Sequence, residues 1–398
     1  MCELDIKKLI KKRIEQLGNI GFEDGKGTSR IAYSKTFFEG RNLVKKWMEN
    51  AGMSTEVDSI GNLIGTVTGK DSELNHIVIG SHIDTVPNGG MYDGVYGVIA
   101  AITCIEEMKK SGYQNIHPIT VIAFNEEEGN AIGGTLGSKS IMGQSLTKTE
   151  VRKLEEYGMS IDNWKNARRD LSRMMCYIEP HIEQGGILEA EKKKIGIVEG
   201  IVGINRYKIR VKGESNHAGS TPMSFRNDAL EKSCRVLSDL YELVRETDNN
   251  LVGTVGIINI PDGAVNVIPG TVDFTFEMRT DKPADMETVI ETIRRMYPAE
   301  ELEIEKYHSQ PPVKMDKELV LEIERICNVE RIPCKRMVSG AGHDAMNIAE
   351  YIRTIMFFIP SVGGVSHRID EYSSSEDMYQ GYRILQELVV SIDKGNLL

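Results

Sequence analysis

Gly80-Ser81-His82-Ile83-Asp84-Thr85-Val86-Pro87-Asn88-Gly89-Gly90-Met91-Tyr92-Asp93-Gly94 is the stretch on which the reading of this chain turns. It continues His76-Ile77-Val78-Ile79-Gly80, a short, β-branched, almost wholly apolar run that reads as a buried strand of a parallel sheet. Side chains alternate along a strand, so His82 and Asp84 leave its carboxyl end on the same side, where open α/β sheets place their sites. Pro87, Gly89 and Gly90 permit a sharp turn that returns Asp93 toward His82 before a helical pattern begins near Val95. An imidazole and two carboxylates at one strand exit suit a metal ion. His-x-Asp is common, however, and a polar strand end followed by a turn reads equally well.

Three other segments bear on that choice. The apolar run Ile119-Thr120-Val121-Ile122-Ala123-Phe124 leads into Asn125-Glu126-Glu127-Glu128-Gly129. Adjacent carboxylates at a strand exit are costly unless a cation is near; one can ligate a metal while its neighbour stays free to carry a proton. A solvated acidic loop is the plain alternative. Tyr177-Ile178-Glu179-Pro180-His181-Ile182-Glu183-Gln184-Gly185-Gly186 and Gly363-Gly364-Val365-Ser366-His367 each set a histidine after an apolar run. Singly, each histidine reads as structural. Together the segments supply His82, Asp93, Glu128, His181 and His367, a mix that suits Zn²⁺. Five ligands exceed one tetrahedral ion and suffice for two if a carboxylate bridges, with a water between the ions as nucleophile.

Composition bounds the function. The chain has 398 residues, 40% hydrophobic and 27% charged, long enough for two domains. A net charge of -11 argues against nucleic acid as a partner. No run of about 18 apolar residues occurs, which argues against a membrane partner, and Met1-Cys2-Glu3-Leu4-Asp5-Ile6-Lys7-Lys8 reads as a charged amphipathic helix rather than a signal peptide, so the cytoplasm is the expected location. Six cysteines, at 2, 104, 176, 234, 327 and 334, form no Cys-x-x-Cys pair and read as reduced thiols; a Cys327–Cys334 disulfide is disfavoured.

Helix signals at Leu4 to Leu17, Ser34 to Ala51 and Val95 to Lys110 alternate with strands near Asn62 to Val67, His76 to Gly80 and Ile119 to Phe124, the mark of an α/β sheet. After Gly200-Ile201-Val202-Gly203 the pattern becomes a strand (Asn205 to Val211), a helix (Asp228 to Arg245), strands at Val252 to Ile260 and Val272 to Met278, a helix (Ala284 to Tyr297) and a strand (Leu302 to His308), the order of a ferredoxin-like unit. Past Pro311-Pro312 the α/β pattern resumes. The fold class is therefore α/β: a discontinuous catalytic domain, 1–203 with 314–398, holding a mixed, mostly parallel sheet flanked by helices, and an inserted ferredoxin-like α+β domain, 204–313. Within the insert, His217 in Ser215-Asn216-His217-Ala218-Gly219-Ser220-Thr221-Pro222 reads by itself as a surface histidine, and Arg279 as a surface ion pair.

In order along the chain, GSHIDTVPNGGMYDG, FNEEEGNAIGGTLGS, IEPHIEQG, SNHAGSTPMSFRNDA, NVIPG, FEMR, SGAGHDA and GGVSHRIDEYS resemble the M20 metallopeptidase family, in its hydantoinase/carbamoylase branch of N-carbamoyl-L-amino acid hydrolases and allantoate amidohydrolases. The resemblance covers nearly the whole chain. It implies that Asp93 bridges two ions, with His82 and His181 completing one site and Glu128 and His367 the other. It implies Glu127 as general base on the bridging water, Asp84 accepting the second ring N–H of His82, and a cis peptide at Asp93-Gly94. His217 would stabilise the oxyanion, from its own or a partner subunit, and Asn266 and Arg279 would hold the substrate's α-carboxylate. Gln184 would contact the ureido group, and the turn Gly340-Ala341-Gly342-His343 would wall the pocket. The inserted domain would serve as a lid or dimerisation domain, and the two domains would close on the substrate.

The activity so implied is a binuclear metal-dependent amidohydrolase cleaving the linear C–N bond of an N-carbamoyl-L-amino acid or an allantoate-like ureido acid. Two divalent ions per subunit are expected, Zn²⁺ first, with Mn²⁺, Co²⁺ or Ni²⁺ acceptable to the same ligands, in a homodimer. An aminoacylase or dipeptidase of the superfamily is the first alternative, against which the histidine at 181 and Gln184 argue. A non-catalytic binding homologue is the second, against which Glu127 argues. Pro180, Gly186 and Arg368-Ile369 depart from the branch pattern and bear on substrate preference.

Overall fold

The computed structural model describes residues 2–395. Its contacts divide the chain into one unit of residues 1–199 and 314–398 and a second of 200–313. The strand Gly203–Lys212 falls in the second unit, where Gly203 pairs with Thr280.

The first unit is built on a nine-stranded mixed sheet. Its path runs Val313–Lys314, Ile195–Ile201, Arg353–Ile359, Met174–Ile182, His76–His82, Ile119–Phe124, Leu63–Val67 and Ser54–Val57, and Cys334–Ser339 pairs with Ile195–Ile201. The four central strands, Arg353–Ile359, Met174–Ile182, His76–His82 and Ile119–Phe124, are mutually parallel. Their sequences are continuous apolar runs because helices bury them; Val95–Lys110 and Ser375–Asp393 both pack on this core. Parallel strands send their carboxyl ends to one edge. His82, Asn125 to Glu128, His181 and the loop toward His367 all leave the sheet there.

The second unit, taken by itself, is an antiparallel sheet in the order Val252–Thr254, Thr271–Thr280, Gly203–Lys212, Leu302–Gln310, with helices Ala229–Thr247 and Pro283–Met296 packed against it. Numbered along the chain, the four strands lie 2-3-1-4, the arrangement of a split βαβ unit. Thr271–Thr280 alternates half-buried and buried residues along its whole length, so Val272, Phe274, Phe276 and Met278 face the core with Tyr207, Ile209, Val236 and Leu240. The single strand expected over 252–260 is two pieces, Val252–Thr254 and Ile258–Asn259, interrupted around Gly256.

The end of the last helix also shapes the sheet. Buried Asp393 accepts hydrogen bonds from the backbone N–H groups of Ile116 and His117 and from the Tyr113 hydroxyl, and so fixes the loop that feeds Ile119–Phe124. Asp393→Ala would leave these donors unpaired, two of them backbone amides. A loss of about 3 kcal/mol is expected, read as a lower urea midpoint at unchanged slope.

Candidate metal centre

His82 and His181 sit at strand ends, where packing leaves each 1% exposed. The Nδ1 atoms face carbonyl oxygens, His82 that of Asp84 at 3.1 Å and His181 that of Ile182 at 2.9 Å. A carbonyl only accepts, so Nδ1 carries hydrogen in both rings. Burial depresses the proton affinity of His181 and keeps it neutral, so its Nε2 is a lone pair. That lone pair lies 3.2 Å from Asp93 Oδ1, and both atoms are buried without a hydrogen-bond partner. Two facing lone pairs repel unless a cation sits with them, which is the condition for metal ligation.

The other side of Asp93 repeats the pattern. His367 Nε2 is 3.0 Å from Asp93 Oδ2 and 3.5 Å from Glu128 Oε1. His82, Asp93 and His181 thus form one ligand group and Asp93, Glu128 and His367 another, sharing Asp93 through its two oxygens. His82 also groups with Glu127 and Glu128, its Nε2 standing 3.8 Å from both Glu127 Oε2 and Asp93 Oδ1.

Negative charge dominates this volume. Burial works against the charge on Asp93, yet the His367 hydrogen bond and the positive charge on His82 and His367 hold it well below the usual carboxylate range. Glu128 is pushed up to about 8, by burial first and then by Asp93, against the pull of His82 and His367. Burial also lifts Glu127 well above its ordinary value, opposed by His82 and reinforced by Glu128, Asp344 and Asp84. Burial disfavours charge on His82, and the carboxylates of Glu127, Asp84 and Asp93 more than reverse this. A field that draws protons onto imidazole and carboxylate draws a divalent ion more strongly. The residues fit a pair of such ions.

The three consecutive glutamates divide their work. Glu126 Oε1 accepts from the backbone N–H groups of Ala131, Ile132 and Gly133, closing the loop on itself. Glu127 turns toward His82 and Glu128 toward His367. Two backbone N–H groups, of Glu127 and Glu128, donate to the Asp84 carboxylate at 3.3 and 3.1 Å. Asp84 therefore does not chiefly serve His82 through its side chain; Oδ1 is 3.6 Å from Nδ1, and the hydrogen bond to that ring goes to the residue's own carbonyl.

The peptide expected to be cis is trans: no cis bond occurs among the described residues. Gly94 makes the turn instead, at φ 64° and ψ -44°, with Val95 N–H donating to Asp93 O across it. A Cβ on Gly94 would lie 2.3 to 2.5 Å from the His82 ring, so glycine lets this backbone pass beside the ligand.

Other expected contacts fall differently. Gln184 Nε2 donates to Asp93 Oδ2 at 2.7 Å, and its Oε1 is buried and unpartnered. The turn assigned to the pocket wall is split. Gly340 is exposed, whereas His343 is buried, with Nε2 3.0 Å from Ser339 Oγ and its ring edge-on to His181 at 4.5 Å between centroids. Ser366, whose hydroxyl reaches Asp93 Oδ2 at 3.2 Å, and Glu371 escaped the sequence reading; adjacency to His367 was their only signal.

In the inserted unit, Asn216–His217 pairs with Val267–Ile268, and Ala218 N–H donates to the Asn266 carbonyl, so His217 and Asn266 lie side by side and exposed. His217 Nδ1 accepts from the N–H groups of Gly219 and Ser220, which leaves Nε2 to carry hydrogen outward. Arg279 Nε donates to Glu277 Oε1 at 2.8 Å, and Arg206 binds the other oxygen of that carboxylate.

An α/β sheet whose parallel edge carries two ligand triads joined by one aspartate defines a candidate dinuclear hydrolase centre. The profile of Peptidase family M20/M25/M40 matches residues 78–391, and the chain belongs to the M20 family. It is 36% identical over 404 residues to an N-carbamoyl-L-amino-acid amidohydrolase of Pseudomonas sp. (strain NS671), covering 96% of this chain and 98% of that one. Identity is 33% over 398 residues to the allantoate amidohydrolase of Escherichia coli (strain K12), covering 95% and 96%. The crystal structure of an amidase of the hydantoinase/carbamoylase family from Burkholderia multivorans superposes with a TM-score of 0.85 at 30% identity, covering 97% of each chain.

If Asp93 serves both ions, Asp93→Asn should weaken both, by more than about 100-fold, since even outer partners of ligands are worth 10- to 100-fold. His367→Ala should remove one ion and spare the other. Calorimetric titration of the chelator-treated protein with Zn²⁺ or Mn²⁺ measures both; two tightly bound ions in Asp93→Asn would refute the bridge.

Proposed function

We propose that this protein is a binuclear metal-dependent amidohydrolase that cleaves the linear C–N bond of an N-carbamoyl-L-amino acid or an allantoate-like ureido acid. The observation that carries the reading is Asp93 shared between His82/His181 and Glu128/His367 with Glu127 alongside, in a chain similar over its whole length to relatives bearing those activities. Zn²⁺ suits the ligands best, and Mn²⁺, Co²⁺ or Ni²⁺ fit the same donors. When bound, the ions polarise water and the scissile carbonyl as Lewis acids.

Glu127 takes a proton from the attacking water and returns it to the departing nitrogen. Its buried carboxyl, raised by desolvation and neighbouring acids, is suited to holding that proton between the two events. His217 offers Nε2–H to the developing oxyanion, an assignment supported by the two backbone donors that occupy Nδ1. Asn266 and Arg279 are assigned to the substrate's carboxylate, with Arg279 exchanging its bond to Glu277 for the bidentate grip arginine offers. Attack on a carbamoyl group yields the free amino acid, CO₂ and ammonia.

A homodimer is the proposed assembly, supported by the exposed apolar residues Val252, Ile257 and Ile258 along the edge of the inserted sheet. No helix among the described residues is long and apolar enough to cross a membrane. All six cysteines are free thiols, in keeping with a reducing compartment such as the cytoplasm.

Metal-loaded protein incubated with N-carbamoyl, allantoate, N-acetyl and dipeptide substrates should release amine or ammonia from the ureido compounds; turnover of the peptide alone sinks the assignment. Glu127→Gln should keep both ions and lose roughly 10²-fold or more in kcat, the scale of a general base. Wild-type turnover in that variant would remove Glu127 from the mechanism.

A further inference from the structure

Resting on the functional reading above, we propose that Glu371 is the positioning residue that locks the two halves of the dinuclear centre together, and that Gly90 exists to make room for it. Glu371 is 4% exposed and touches the site only through its neighbours. Oε1 accepts hydrogen bonds from the backbone N–H groups of Tyr92 and Asp93, at 2.9 and 3.0 Å. Oε2 accepts from the Ser366 hydroxyl at 2.8 Å and from the His367 N–H at 3.2 Å. One carboxylate thus ties the backbone of the shared ligand to the backbone of the last ligand, reaching Asp93 from 278 residues further along the chain. The Ser366 hydroxyl, within hydrogen-bond distance of both Glu371 Oε2 and Asp93 Oδ2, closes the loop on the ligand itself.

Three further observations bear on the same link. The Glu371 N–H donates to the Arg368 carbonyl, so the chain turns at once after His367 and brings residue 371 back beside it. Tyr92 and Tyr372, the neighbours of Asp93 and Glu371, meet edge to face at 5.6 Å. A Cβ on Gly90 would stand 2.3 to 2.4 Å from Glu371 Oε1, Cβ and Cδ, so any other residue at 90 would evict this side chain. Gly90 has no positive φ to explain it. His367 is the ligand that needs such a brace. Its side chain is 46% exposed, and its backbone holds a left-handed φ of 58° that a non-glycine residue adopts at a cost.

A carboxylate is the group the position requires, because both oxygens face donors. In Glu371→Gln one oxygen becomes an NH₂, and whichever way the amide turns, one of the two pairs of donors loses its acceptor. The amide nitrogen is tolerated only beside the Ser366 hydroxyl, which can turn to accept from it, whereas the Tyr92 and Asp93 N–H groups cannot; the His367 N–H then loses its acceptor, and the loss falls on the ion held by Glu128 and His367 while the His82/His181 ion stays bound as before.

The test is titration of chelator-stripped protein with Mn²⁺ or Zn²⁺ alone, followed by kcat and KM at rising metal. Glu371→Gln should bind the first ion with wild-type affinity and the second about 10- to 100-fold more weakly, the range for residues that orient ligands. Its kcat should fall at low metal and recover at high metal, with KM unchanged, which a general loss of folding would not produce. Gly90→Ala, which displaces the carboxylate by a methyl group, should reproduce the pattern and serves if Glu371→Gln does not fold. Two ions bound at wild-type affinity in either variant overturn the proposal, as does unfolding of both, which would make Glu371 a folding residue only. Failure of the wild-type protein to bind two ions would instead defeat the functional reading itself.

Discussion

The carboxyl edge of four parallel strands gathers more negative charge than its histidines balance, and the rest of the structure is arranged around that imbalance. Asp93, Glu127, Glu128 and Asp84 converge with His82, His181 and His367 in a volume that is buried except where His367 meets solvent. In such surroundings like charges raise one another's proton affinity and facing lone pairs repel. A pair of divalent cations relieves both conditions at once. Their coordination energy is then available to hold together loops that no apolar core unites.

His82 and His181 are held by strand ends, but Asp93, Glu128 and His367 lie on loops, and their precision comes from the groups behind them. The Asp84 carboxylate fixes the backbone from which Glu127 and Glu128 diverge. Glu126 gathers three N–H groups to fold the following loop back. Gln184 and Ser366 meet the Asp93 carboxylate directly, and His343 packs its ring against His181. Acidic and amide side chains here act mainly as acceptors or donors for backbone, turning flexible loops into a rigid frame.

Much of this was legible in the residues. The ligand histidines and carboxylates follow apolar runs, and an apolar run followed by a polar residue marks a strand exit whatever the topology. Continuous apolar runs marked the buried parallel strands of the first unit, and the order of strands and helices marked the insert as ferredoxin-like. Contacts that depend on which atom of a residue is used were not legible. Asp84 presents its carbonyl to His82 and its carboxylate to Glu127 and Glu128, and no pattern of residue types distinguishes the two. The Asp93-Gly94 peptide, expected cis from resemblance, is trans, and Gly94 turns the chain at positive φ.

The order of motifs along the chain determined the fold class and brought forward five candidate ligand side chains, because each is a matter of local periodicity and of which chemical groups follow it. Tertiary structure alone decided how the two oxygens of Asp93 are shared, which of three adjacent glutamates faces which histidine, and that Glu371 spans Asp93 and His367. These depend on the direction of single bonds between segments far apart in sequence. Sequence spacing carries no record of such directions; the packing of the parallel strands and their loops sets them.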